Sequence, residues 1–109
     1  MFHRNFGQLG FALKDSRTPN FQEAKEALSK AISIRGKSAE GQEPVWIFYD
    51  YVRAQCRILL DPNFTRDIPS TAQEREKIEA DVRVALGLGV IVRDDALIRR
   101  WASLNKVQL

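Results

Sequence analysis

Trp46, Asp50, Arg53 and Arg57 follow one another at intervals of four, three and four residues, which on a helix sets an indole and two guanidiniums along one line. An arginine fork can grip phosphate in bidentate fashion and an indole can stack on a base, the two interactions that a single-stranded nucleic-acid groove uses. The same residues also have a plainer reading: Asp50 with Arg53, and Arg57 with Asp61, are spaced as intrahelical ion pairs worth a few tenths of a kcal/mol. A second group of cations, Lys25, Lys30, Arg35 and Lys37, precedes a polar stretch through Ser38, Glu40, Gly41 and Gln42. Cations of this kind contact phosphates without reading sequence, and they serve equally well as a solvated helix face. Arg93, Arg99 and Arg100 would extend this surface only if the fold brings them alongside.

Other chemistry finds little support. His3 is the single histidine and lies near a chain end, so neither a nucleophile activated by imidazole nor a zinc site of the usual ligands is expected. Gly87, Leu88 and Gly89 follow a helical pattern and lack the further Gly and Lys of a phosphate loop. Asp94 and Asp95 with Asp81 or Glu79 have the carboxylates of a divalent-cation site, but Asp before an apolar helical run is an ordinary N-cap. The lone Cys56 sits in an apolar run, where it reads as a small buried hydrophobe. No catalytic residue, metal, cofactor or small-molecule substrate is therefore expected.

The elements that must position these residues are read from periodicity and punctuation. Phe2, Phe6, Leu9 and Leu13 have helical spacing, but Gly7 and Gly10 each cost about 1 kcal/mol relative to Ala, so this first segment is expected to be partly irregular. Asn20, with Glu23 three residues on, caps a second helix whose stripe is Phe21, Ala24, Leu28, Ala31 and Ile32 and which ends near Gly36. Pro44 opens a third helix running to Leu60 before Asp61 and Pro62. Val45, Phe48, Tyr49, Val52, Cys56 and Leu59 are its expected buried face; further apolar residues leave only the stripe of Asp50, Arg53, Arg57 and Asp61 exposed. Residues 62 to 69 are expected to be a loop pinned by Phe64. Thr71 and Glu74 form a capping box for a fourth helix with Ile78, Val82, Ala85 and Leu86 inside, and with Glu74, Arg75, Glu76, Lys77, Glu79 and Asp81 on a solvated face. Gly87 and Gly89 break it. Leu88, Val90, Ile91 and Val92 form a short connector, and Asp94 or Asp95 caps a last helix that buries Leu97, Ile98, Trp101, Ala102 and Leu104. The connection is too long for a helix-turn-helix carrying Arg99 and Arg100 on its second helix.

The chain's 109 residues with 44% hydrophobic content suit one core, and the expected fold is an all-α single domain over residues 1–109, a bundle of about four to five helices around a buried central one. No apolar run approaches the length of a membrane span, and the start lacks the pattern of an export signal, so a cytoplasmic location is expected. The net charge is +3 and the pI about 9.3, a bias that suits a polyanion partner. The excess belongs to residues 1–60, with nine Lys and Arg against six Asp and Glu; residues 61–109 balance at eight against eight.

By size, helical content, basic bias and the absence of catalytic groups, the chain resembles the small helical subunits of multi-subunit CRISPR effector complexes. The aromatic-to-Arg run from Trp46 through Tyr51 to Arg57 is also similar to a helix in the C-terminal helical domain of the large subunit of such complexes, to which small subunits can be related. The resemblance implies several copies packed side by side, contacting a guide duplex or displaced strand through Lys and Arg. The neutral half after Leu60 departs from that pattern. The expected function is thus a non-catalytic subunit of a larger assembly that binds nucleic-acid backbone through Lys25, Lys30, Arg35, Lys37, Trp46, Arg53 and Arg57. The alternative is a helical protein-interaction or adaptor module, in which exposed aromatics such as Trp46 and Tyr51 dock a protein partner.

Overall fold

The computed structural model describes residues 3–37 and 47–109, with side chains given for 5–35 and 47–109. All regular elements among these residues are helical: α1 (His3–Asp15), α2 (Phe21–Lys37), α3 (Tyr49–Leu60), α4 (Pro62–Thr65), α5 (Ala72–Gly87) and α6 (Ala96–Asn105), with a 3₁₀ turn at Val92–Asp94 before α6. The fold is an all-α helical bundle. Among the described residues no helix is long and apolar enough to cross a membrane.

α3 organises the bundle because it offers a different surface on every side. At about 100° per residue, Ile47, Tyr51, Ala54 and Ile58 share one face, and Tyr49, Val52 and Cys56 share the opposite one. The first face packs into a core of Phe64, Ile78, Val82, Ala85, Val90, Val92, Ile98, Trp101 and Ala102, drawn from α4, α5, the connector after it, the 3₁₀ turn and α6. The second packs with Ala24, Leu28 and Ala31 of α2, flanked by Phe6, Phe11 and Leu13 of α1. Two cores therefore sit back to back across one helix. Cys56 is fully buried in the α2 side, as its apolar setting implied.

Phe48 departs from its expected place in the buried face. It is 39% exposed, because it precedes α3 on the side shared with Gln55 and Leu59, away from both cores. Pro44 and Val45, expected to open this helix, lie outside the described residues.

α1 is one uninterrupted helix despite its two glycines, contrary to the irregularity expected from their propensity cost. Both mark close approaches. A Cβ on Gly7 would run into the ring of Tyr49, and one on Gly10 would lie 2.6 Å from Leu28 Cγ and 3.2 Å from the Ala24 carbonyl oxygen. Contact between helices, gained by having no side chain, outweighs the propensity loss.

Residues 62–65, expected as part of a loop, form the single turn α4, started by Pro62 and capped by Asp61, whose carboxylate accepts from the Asn63 N–H at 3.0 Å. Phe64 pins the segment, 5% exposed. Thr71 caps α5, its Oγ1 accepting from the Glu74 N–H at 3.2 Å, which is the N-cap half of the expected capping box. Asp95 caps α6, accepting from the Ile98 N–H at 2.9 Å. Asn20 caps α2 the same way through Glu23 N–H at 3.0 Å. The far ends of α5 and α6 close alike, with Gly89 (φ 91°) and Lys106 (φ 57°) in the left-handed region and a bond from the next N–H back to Ala85 O or Ala102 O.

Candidate functional site: the polar seams of α3 and the charged exterior

The stripe of Asp50, Arg53 and Arg57 does not face water. It faces α2 and α5. Arg53 donates from Nε and Nη2 to the two carboxylate oxygens of Asp81 on α5 at 2.9 and 2.6 Å, and from Nη1 to Ser29 Oγ on α2 at 3.1 Å. Arg57 Nε donates to Asp81 at 3.1 Å, while Asp50 receives Arg35 Nη1 of α2 at 2.8 Å and lies 4.0 Å from Arg53. The carboxylates of Asp50 and Asp81 are 3% and 4% exposed, and the three arginine side chains only 14–17%.

Three helices are thus tied by charge-assisted bonds through a bidentate fork, the geometry in which arginine differs most from lysine. Asp81, expected on the solvated face of its helix, belongs to the buried stripe instead. Its place between Ile78 and Val82, with Ala85 beyond, is the i, i+3, i+4, i+7 pattern of an inward face, a signal the charge of the side chain obscures. Nor does Arg57 pair with Asp61, which is occupied in capping α4 and in accepting from Ser70 Oγ at 2.5 Å.

Two further seams converge on α6, one from α3 and one from Ser70 in the segment ahead of α5. Tyr51 Oη and Gln55 Nε2 both donate to Asp95 at 2.5 Å. Burial pushes the Asp95 carboxyl upward, but the bonds from Tyr51, the Ile98 N–H and Gln55 outweigh it and hold the group below the usual carboxylate range. Burial, reinforced by the bond to Asp95, pushes the Tyr51 phenol well above its ordinary value, so it stays a donor. The second seam runs from the fully buried Trp101, whose Nε1 donates to Ser70 Oγ at 3.0 Å, to Asn105, which accepts from Ser70 N–H at 2.7 Å and donates to the Trp101 carbonyl at 2.9 Å. Every buried side-chain N or O atom among the described residues has a partner. Asp81, Asp94 and Asp95 do not converge. The first binds arginines, the third caps α6, and the second is exposed.

The residues expected to touch nucleic acid are therefore dispersed. Arg35, Arg53 and Arg57 line the buried seam. Lys25 opens on a groove of about 340 Å³ between α2 and α5 that also holds Asp61 and Glu74, and Lys30 on a separate groove between α1 and α2 with Glu23 and Glu26. Trp46 and the Lys37 side chain lie outside the described residues.

The exterior reverses the charge distribution along the sequence. Up to Leu60, five of the seven described cations are half-buried, while Asp15, Glu23 and Glu26 are exposed. After Leu60 all eight Lys and Arg are exposed, whereas Asp61 and Asp81 are buried and Glu74, Glu79 and Asp95 half-buried. The half that is neutral in sequence is the half that presents cations outward. Among its described residues, no carboxylate lies within ion-pair distance of Arg66, Lys77, Arg93, Arg99 or Lys106.

Comparison with known proteins finds no match to the chain: no protein-family model, no curated protein and no solved structure.

Proposed function

We propose that the chain is a non-catalytic helical subunit that binds nucleic-acid backbone without reading sequence, within a larger assembly of the kind its resemblance to the small subunits of CRISPR effector complexes implies. One observation carries this reading: the eight outward cations after Leu60 face only three exposed acids, Asp67, Glu76 and Asp94. Such a surface attracts a polyanion, and the release of its counterions makes the binding steeply dependent on salt. The buried seam of α3 serves this function indirectly, as a rigid brace for the helices that display the cations. Arg35, Arg53 and Arg57 act there as bracing residues, and Lys25 and Lys30 as weaker contacts beside acidic neighbours.

The test is fluorescence anisotropy of a labelled single strand across a salt series. Four phosphate contacts predict a slope of about −3 in log K against log salt. No binding at the lowest salt, or binding indifferent to salt, contradicts the reading.

A second reading, a protein-interaction module, is favoured by the groove between α1 and α2. Phe6, Leu9, Leu13 and Ala27 line about 520 Å³ there, Leu9 is 49% exposed, and Glu23 and Glu26 stand at the rim. The apolar floor, with two acids against the single cation Lys30 at its edge, fits an amphipathic helix with mainly basic flanks from a neighbouring subunit. A partner that is captured after nuclease treatment, carries such a helix and is lost on Leu9→Asp supports it; capture unaffected by Leu9→Asp contradicts it.

A further inference from the structure

α6 carries no acidic residue. Its inner side is Ile98, Trp101, Ala102 and Asn105, all buried, which leaves Ala96, Arg99, Arg100 and Ser103 outward, followed by Lys106 at the helix end. Arg99, Ser103 and Lys106 are spaced by four and three residues, so they form one line along the exposed side. Ala96 and Ser103, with short side chains on either side of the arginine pair, leave a shallow concavity of about 380 Å³ lined by these four residues.

The two arginines are placed differently. Arg100 is held by an ion pair to Asp67 and lies over the Phe64 ring, 4.8 Å from its centroid. That pair is exposed and engages only part of its donor fork, while its packing on Phe64 fixes one wall of the concavity. Among the described residues no carboxylate lies within ion-pair distance of Arg99, so its fork of donors is open to a ligand, with the Ser103 hydroxyl one turn further along. Arg93, in the 3₁₀ turn ahead of α6, is exposed and has no carboxylate within ion-pair distance among the described residues. From Arg99 to Lys106 the helix rises about 10 Å, close to three steps of about 3.4 Å along the axis of a duplex, the span of four successive phosphates on one strand.

We infer that the outer face of α6 is the phosphate-contact surface of this protein, with the Arg99 fork and the Ser103 hydroxyl on one backbone phosphate and Lys106 and Arg93 on its neighbours. The inference rests on the nucleic-acid reading above and moves its main contacts from α2 and α3 to α6. A base-specific role is not implied, since a cationic line of this kind positions a strand without reading it.

The experiment compares three proteins by anisotropy with a labelled oligodeoxythymidylate of about 20 nucleotides: the unaltered chain, the variant Arg99→Gln/Ser103→Ala/Lys106→Asn, and the variant Lys25→Gln/Lys30→Gln. Asn at 106 tolerates the left-handed backbone there, and thermal melting checks that each variant is folded. The expected result is a loss of at least tenfold for the α6 variant near 100 mM salt, a salt slope shallower by about 1.4 for the two charges removed, and a smaller change for the α2 variant. An α6 variant that keeps its affinity and slope, while the unaltered chain binds, overturns this inference and leaves the function proposal standing. An unaltered chain that binds no strand overturns both. Displacement of the strand by polyglutamate as readily as by unlabelled strand assigns the face to acidic peptide and overturns the phosphate contact.

Discussion

Arg53 grips Asp81 with two nitrogens, at 2.9 and 2.6 Å, across the interface between α3 and α5, and the same carboxylate takes a third bond from Arg57. The contact replaces solvent for three charges at once. Two cations and one anion in a nearly dry seam are tolerated because Asp50, Ser29 and the edge of the solvent satisfy the remaining donors. Such a cluster contributes less to net stability than to holding the helices in one arrangement, since desolvation offsets much of the attraction.

Removing the acid is therefore far more damaging than its charge suggests. Asp81→Ala leaves two guanidiniums facing each other without their carboxylate, and we expect a loss of about 3 kcal/mol in urea denaturation. Glu76→Ala, on an exposed position of the same helix, is expected to stay within about 0.5 kcal/mol. Equal effects at the two positions would contradict the buried seam.

Gly7 of α1 and Gly87 at the end of α5 give a second contrast. Ala is favoured over Gly in a helix by about 1 kcal/mol, so Gly87→Ala, with open space around the new Cβ, is expected to be neutral or mildly stabilising. Gly7→Ala meets the fully buried Tyr49 ring and is expected to cost about 1–3 kcal/mol despite the same gain in propensity. Thermal melting of the two variants reads the opposite signs directly.

Much of the fold follows from local pattern. Asn20, Thr71 and Asp95 stand where polar caps precede apolar stripes, and the stripes of α2, α5 and α6 turn inward as their periodicity dictates, except that Leu86, near the C-terminal end of α5, is 38% exposed. The inward turn of Asp81 and the close contact of Gly7 with Tyr49 depend on which helices become neighbours. Periodicity within one helix does not encode that. The same limit explains the charge reversal: counting cations along the chain cannot separate those that meet Asp50 and Asp81 from those left outside.

Acid should weaken the joint between α3 and α6. The Asp95 carboxyl is held below its unfolded value, so the folded state binds fewer protons there; this stabilisation is present above the ordinary carboxyl pKa of about 3.9 and is lost as pH falls through the lower folded value. Urea midpoints between pH 6 and pH 2.5 should fall more steeply for the unaltered chain than for Asp95→Asn, which keeps a cap but no titrating group. Parallel acid limbs would contradict the role given to Asp95.

Alkali acts on the opposite side of α3. Burial pushes the Cys56 thiol up to about 11, so the folded state keeps a proton that the unfolded chain releases from about pH 8.5, and stability should decline as pH rises across that interval. At pH 8 the thiol should react with a disulfide reagent slowly in the folded protein and rapidly in urea. Fast reaction without denaturant would place Cys56 outside the core.

The central claim is that the arginines of α3 are turned inward and those of the C-terminal half outward, and arginine modification by phenylglyoxal with mass-spectrometric mapping tests it most directly. Arg93 and Arg99 should be modified quickly in the native protein, while Arg53 and Arg57 stay protected until denaturant is added. Modification of Arg53 and Arg57 at the rate of Arg99 in the folded state would contradict the account.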